Sequence, residues 1–118
     1  MSHTTTVETS TANVDLIQAL PIVQDATTSR VIVNNPLLRT VLFSFDKGQL
    51  LTEHASPRAV VVTLLTGKLD FSIGADHHIM SPGDVIYLAP GDRHALVALE
   101  ASHMQLVMVD VGNGEEIH

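Results

Sequence analysis

Between Ser29 and Val109 the apolar residues come in short runs rich in β-branched side chains, and almost every run ends in turn-forming residues. Runs of this length are too short for amphipathic helices, and β-branched residues suit a pleated surface. The pattern predicts strands over Ser29–Val33, Arg39–Phe45, Gln49–His54, Ala59–Leu65, Leu69–Ile73, His77–Met80, Val85–Leu88, His94–Leu99 and Met104–Val109. The breaks have local causes in Asn34-Asn35-Pro36, Asp46-Lys47-Gly48, Ser56-Pro57, Thr66-Gly67, Gly74-Ala75-Asp76, Ser81-Pro82-Gly83 and Pro90-Gly91-Asp92. Many short strands at this spacing imply an all-β sandwich or barrel.

A chain of 118 residues holds one domain with a real core. Residues 1–13 are Ser/Thr-rich, with Val7 and Ala12 as the apolar side chains after Met1, so a flexible leading tail is expected ahead of a domain over 14–118. That stretch has neither the basic start nor the apolar core of a signal peptide, and no apolar run approaches membrane-spanning length. A cytoplasmic protein without membrane contact is the expectation. Asn13 is placed to cap a one-turn helix through Asp15, Leu16, Ile17 and Ala19, ending before Pro21.

Thirteen acidic residues against six Lys and Arg give a formal charge of −7, with the basic residues scattered singly. Nucleic-acid binding needs clustered positive charge, so it is not expected. No cysteine is present, which removes disulfides and thiolate metal ligation.

Alternation sorts side chains to faces. Leu69, Phe71 and Ile73 share one face of their strand, with Asp70 and Ser72 on the other. The run Ala59–Leu65 is apolar at both parities, so something must cover its outer side.

The stretch from Gly48 through His54 to Pro57, followed by an apolar strand ending in Thr66-Gly67, resembles the first cupin motif. The stretch Gly83-Asp84 through Pro90-Gly91 to His94 resembles the second. Phe43-Ser44-Phe45-Asp46-Lys47-Gly48 running into Glu53-His54 further resembles a branch of small single-domain cupins. The resemblance implies a double-stranded β-helix, or jelly-roll barrel, and no single reaction, because this fold hosts oxygenases, isomerases, decarboxylases and binding modules.

Carried over residue by residue, the first and last histidines of the cupin metal site fall on His54 and His94. The second histidine falls on Ser56 and the glutamate on Val60, so half of the ligand set is replaced. A divalent metal such as zinc, iron, manganese or nickel would rest on His54 and His94 and a third, unidentified ligand. Glu53 neighbours His54 and should turn outward. His77, His78 and His103 sit beside turn-like segments and are expected to be exposed, and Asp84 and Asp92 to satisfy nearby backbone N–H groups.

By parity and the family layout, the cavity-lining set is His54, Ser56, Val60, Val62, His94, Leu96 and Met108. Tyr87 either lines the cavity mouth or packs in an interface. Three functions remain open: a module binding a small, partly apolar molecule, a metal-dependent oxygenase or isomerase, and a structural or assembly role with a closed cavity. No nucleophile arrangement or phosphate-binding glycine loop is present. For quaternary structure, Val61, Thr63 and Leu65 form an outward stripe that predicts a homodimer, with covering by Leu16, Ile17, Leu20 and Ile22 as the rival explanation.

Overall fold

All nine expected strands form, with their turn chemistry intact, in the computed structural model of the protein, which describes residues 6–111. They are β1 (Thr27–Asn34), β2 (Leu38–Phe45), β3 (Leu50–His54), β4 (Ala59–Thr66), β5 (Leu69–Ile73), β6 (Asp76–Met80), β7 (Val85–Leu88), β8 (His94–Ala98) and β9 (Ser102–Val109). Two antiparallel sheets result, one ordered β1-β2-β9-β4-β7 and the other β3-β8-β5-β6. The chain crosses between sheets so that β9 lies between β2 and β4, and β8 between β3 and β5. This interleaving is the double-stranded β-helix.

The sheets bury one face each against the other. Phe45, Val62, Leu64 and Met104 from the larger sheet meet Leu69, Phe71, Met80, Leu96 and Ala98 from the smaller. Register settles the faces: Phe43 pairs with Met104 and Leu64 with Met104, so these positions share the inner side of the larger sheet.

Gly67 turns β4 into β5 at φ 86°, in the left-handed region. A Cβ there would stand 2.7 Å from Ser102 Cα and closer still to the Ser102 hydroxyl and the Ala101 carbonyl. Ser102 occupies that space usefully, since its Oγ accepts the Lys68 N–H at 3.0 Å and donates to the Glu100 carbonyl at 2.7 Å. Glycine is therefore required by close approach as well as by torsion.

The N-terminal helix α1 spans Leu16–Ala19, a single turn. Its N-cap is Asp15, not Asn13, and Asp15 adopts φ 55° without a side-chain capping bond. With the chain turning left-handed at Asp15, Asn13 lies too far back to meet the first free N–H groups. Of the expected tail, residues 1–5 lie outside the described residues, and 6–13 are exposed throughout.

After α1 the chain lies along the outer face of the larger sheet. The Leu20 carbonyl accepts His103 Nε2–H at 2.8 Å, the Pro21 carbonyl accepts the Ser44 hydroxyl at 3.3 Å, and the Asp46 Oδ2 accepts Asp25 N–H at 2.7 Å. Beneath this strap the outward-facing Leu42, Ser44 and His103 are buried. His103 thus departs from the exposed turn position expected of it, because β9 begins at Ser102 and takes His103 into the sheet. Its ring is fully satisfied: with Nε2 donating to Leu20, Nδ1 accepts from the Thr66 hydroxyl at 2.9 Å.

The strap also reaches β4. Leu16 and Ile17 line a shallow pocket with Leu65, so one end of the outward stripe is covered from within the chain. Further along, Val61 pairs with Tyr87 and Thr63 with Val85, and both Val85 and Tyr87 are about three-fifths exposed (60% and 61%).

Candidate functional site

At one end of the sandwich β3 and β8 bring two histidines face to edge. His54 and His94 are register partners, their ring centroids 4.2 Å apart and their planes at 61°. Leu51 and His54 are three residues apart, so an unbroken pleat would turn them to opposite faces. A β-bulge between them absorbs the extra residue, and Leu51 packs on the core while His54 stays beside His94. Glu53 turns outward, as alternation predicted, and its Oε1 accepts Arg93 Nε–H at 3.0 Å on the surface.

His94 is buried and lies parallel to Phe71, 5.9 Å between ring centroids, while His54 is exposed at the rim. The hydrogen bonds fix both tautomers. His54 Nδ1 meets the Thr52 carbonyl at 2.9 Å and His94 Nδ1 meets the Asp92 carbonyl at 3.2 Å. A carbonyl can only accept, so each neutral ring carries its proton on Nδ1 and offers Nε2 as an acceptor. Burial pushes the His94 imidazole below the ordinary histidine value of 6.5. The Asp92 carbonyl opposes that shift by stabilising the cation, and the neighbouring His54 reinforces it.

The facing end of the larger sheet supplies a transverse row. Arg39 on β2 pairs with Met108 on β9, Met108 with Val60 on β4, and Val60 with Leu88 on β7. Arg39 shares its parity with Val41, Phe43 and Phe45, so it is an inner-face residue. Its Nε is buried without a hydrogen-bond partner among the described residues. By composition Arg39 is only one of six scattered Lys and Arg residues. The signal that could have found it is alternation, an arginine at an inward position of an otherwise apolar strand.

The other expected lining residues divide. Val60 and Leu96 sit on the inner faces near the pair, and Met108 is half-buried beside them. Val62 has no accessible surface and belongs to the close-packed core, one row deeper. Ser56 lies in the β3–β4 connection, where its Oγ accepts the Arg58 N–H at 3.1 Å and its carbonyl accepts the Gly91 N–H at 2.8 Å. Tyr87 does not line the interior. Ile86 and Leu88 take the inward positions of β7, which leaves Tyr87 on the outer face. Of the two alternatives for Tyr87, its parity removes the cavity mouth and leaves it exposed on the outer face. Asp84 does serve the backbone, its Oδ2 accepting the Ser81 N–H at 2.8 Å. His77 is exposed and bonds Asp70 Oδ1 at 2.9 Å. His78 is exposed too, but it stands within β6 opposite Phe71, beside a groove of about 460 Å³ between β6 and β7.

The interleaved sheets and paired motifs define the class. The cupin domain profile matches residues 41–110, and the chain belongs to the cupin family. A conserved protein of unknown function from Streptococcus pyogenes is 36% identical, with 95% of this chain and 97% of that one covered and a TM-score of 0.80. A cupin 2 conserved barrel domain protein from Leptotrichia buccalis is 26% identical over 79% of this chain and 45% of its own, with a TM-score of 0.75. A cupin superfamily protein from Desulfitobacterium hafniense shares the fold at 16% identity and a TM-score of 0.75, with 78% of this chain and 84% of that one covered. No curated protein matches the chain. Among the described residues no helix is long and apolar enough to cross a membrane.

The residues present do not fit the four-ligand metal site of the family. Val60 has no donor atom and is 2% exposed, and the Ser56 hydroxyl is engaged with the Arg58 N–H. Among the described residues no group of three or more His, Asp or Glu converges. Catalytic zinc and iron sites ordinarily use three protein ligands.

Proposed function

We infer that this cupin binds one small, partly apolar organic molecule at the histidine end of its barrel, with His54 and His94 as hydrogen-bonding groups. The observation that carries this reading is the pair itself: two edge-on imidazoles whose Nδ1–H groups are tied to backbone carbonyls, leaving two Nε2 acceptors beside the ring of Phe71 that stacks on His94. Such a site orients a ligand through a few polar groups and draws its affinity from apolar contact. A hydroxyl or N–H on the ligand is the natural donor to these nitrogens.

The test uses benzyl alcohol titrated into untagged protein, with the ring nitrogens of His54 and His94 followed by NMR. Saturable shifts at both Nε2 atoms, absent in the His54→Ala, His94→Ala double variant, are expected. Elemental analysis of the same sample decides the competing metal-dependent reading. One equivalent of bound divalent metal per chain that disappears in the double variant would replace this proposal with a metal centre.

A further inference from the structure

The geometry points to Arg39 as the anion-binding group of this cavity, so that its ligand is an organic monocarboxylate, held at one end by Arg39 and donating from a hydroxyl or N–H at the other to His54 or His94. The inference rests on the cavity reading above and names the ligand class for it.

Three observations carry it. First, Arg39 is on the inner face of β2, in one row with Met108, Val60 and Leu88. The chain direction puts that row at the histidine end: β2 runs past Arg39 to Phe45 in the closed core, β3 comes back from Leu50 to His54, and β4 returns from Ala59 past Val60 and Val62. Second, the Arg39 Nε is buried with no partner, and no hydrogen bond or ion pair to its guanidinium occurs among the described residues. A guanidinium is always charged, and a buried donor left unpaired costs more than one that was never buried. Third, Glu53, the carboxylate adjoining His54, is already engaged by Arg93 on the outer surface. Half-buried Arg39 thus holds, in an apolar row, an Nε without a partner among the described residues, and a group arriving with the ligand accounts for it.

The charge count selects between oxyanions. A guanidinium matches a carboxylate or a phosphate edge. Here a single cation faces Met108, Val60 and Leu88, so a monoanion is neutralised while a phosphate dianion would retain uncompensated charge in an apolar site. An organic acid also fills the apolar part of the row, which inorganic phosphate cannot.

The full-length protein is titrated with benzoate, phenylacetate and hexanoate, each beside its neutral amide, and with inorganic phosphate. Binding is read by calorimetry and by the Met108 methyl and histidine ring signals. At least one acid should bind with one-to-one stoichiometry and about tenfold or more tighter than its amide, as a charge-assisted pair requires. Arg39→Gln should abolish that difference while keeping the amide affinity and a Tm no lower than wild type, and Arg39→Lys should restore part of it. Acid and amide binding alike in wild type and variant would overturn the Arg39 assignment and leave the cavity reading standing. Phosphate competing as well as the best acid would overturn the choice of carboxylate. If no probe moves the ring or methyl signals at up to roughly 10 mM, weaker than any useful affinity, the cavity reading falls as well.

Discussion

The two ends of the sandwich are built from the same strands and to different ends. Around Phe45, Leu64, Leu69 and Met104 the sheets close completely, every one of these side chains being at most 1% exposed. Around His54, His94, Arg39 and Met108 the same strands carry polar rings, a guanidinium whose buried Nε has no partner among the described residues, and a flexible thioether, and burial is incomplete. Stability is concentrated at the first end, and the groups able to meet a ligand stand at the second. A β-barrel can separate these tasks because each strand crosses from one end to the other, so a rigid closed end positions the open one.

The largest expected effect comes from damaging the closed end. Leu64→Ala should lower stability by about 2–5 kcal/mol, the range for truncating a fully buried leucine, whereas Met108→Ala at the open end should cost clearly less because neighbouring groups and solvent can fill the space. Urea denaturation of both variants checks this, and equal losses would erase the distinction between the ends.

An intermediate effect is expected on the outside of the open end, where Val61, Val85 and Tyr87 form an apolar surface beyond the reach of the strap. We propose that a second copy of the chain covers it in a symmetric dimer. Val61→Glu should then split a dimer seen by light scattering while leaving a folded monomer, since Val61 is only half-buried in the single chain. A wild type that is monomeric at micromolar concentration would refute the dimer and leave the surface as an exposed patch.

The smallest effect is a pH dependence. His94 in the folded chain protonates below its ordinary value of 6.5, so as pH falls through 6.5 the unfolded chain takes up the proton first. Its contribution is complete above 6.5 and is lost as pH falls towards the folded value. Tm measured from about pH 7.5 to 5.5, where an ordinary histidine titrates, should decline less in His94→Gln than in wild type. Identical slopes would show that His94 is not the group concerned.

Strand positions were legible because alternation and turn chemistry are local. Leu69–Ile73 and Val85–Leu88 were placed to the residue on those grounds. His54 and His94 were legible through their motifs, and the structure brings them together. What escaped depends on partners distant in sequence. His103 looked like a turn residue because its hydrogen-bond partners, Thr66 and Leu20, lie 37 and 83 positions away. The bulge that keeps His54 beside His94 is a property of two paired strands and leaves no mark in β3 alone. Arg39 was different, since its inward parity was available and only the habit of counting arginine as surface charge concealed it.

The strap also has a consequence for how the chain comes to be folded. A ribosome releases the segment around Leu20 and Pro21 early, but the His103 side chain that binds the Leu20 carbonyl arrives only with β9, 83 positions later. That late strand is also the one inserted between β2 and β4, so until it emerges both of these carry an unpaired inner edge. Neither the larger sheet nor the strap can settle on a nascent chain that stops short of β9. Closure of the larger sheet therefore waits for β9, and a polypeptide cut off before Ser102 carries two exposed strand edges, on β2 and β4, that β9 would have sealed.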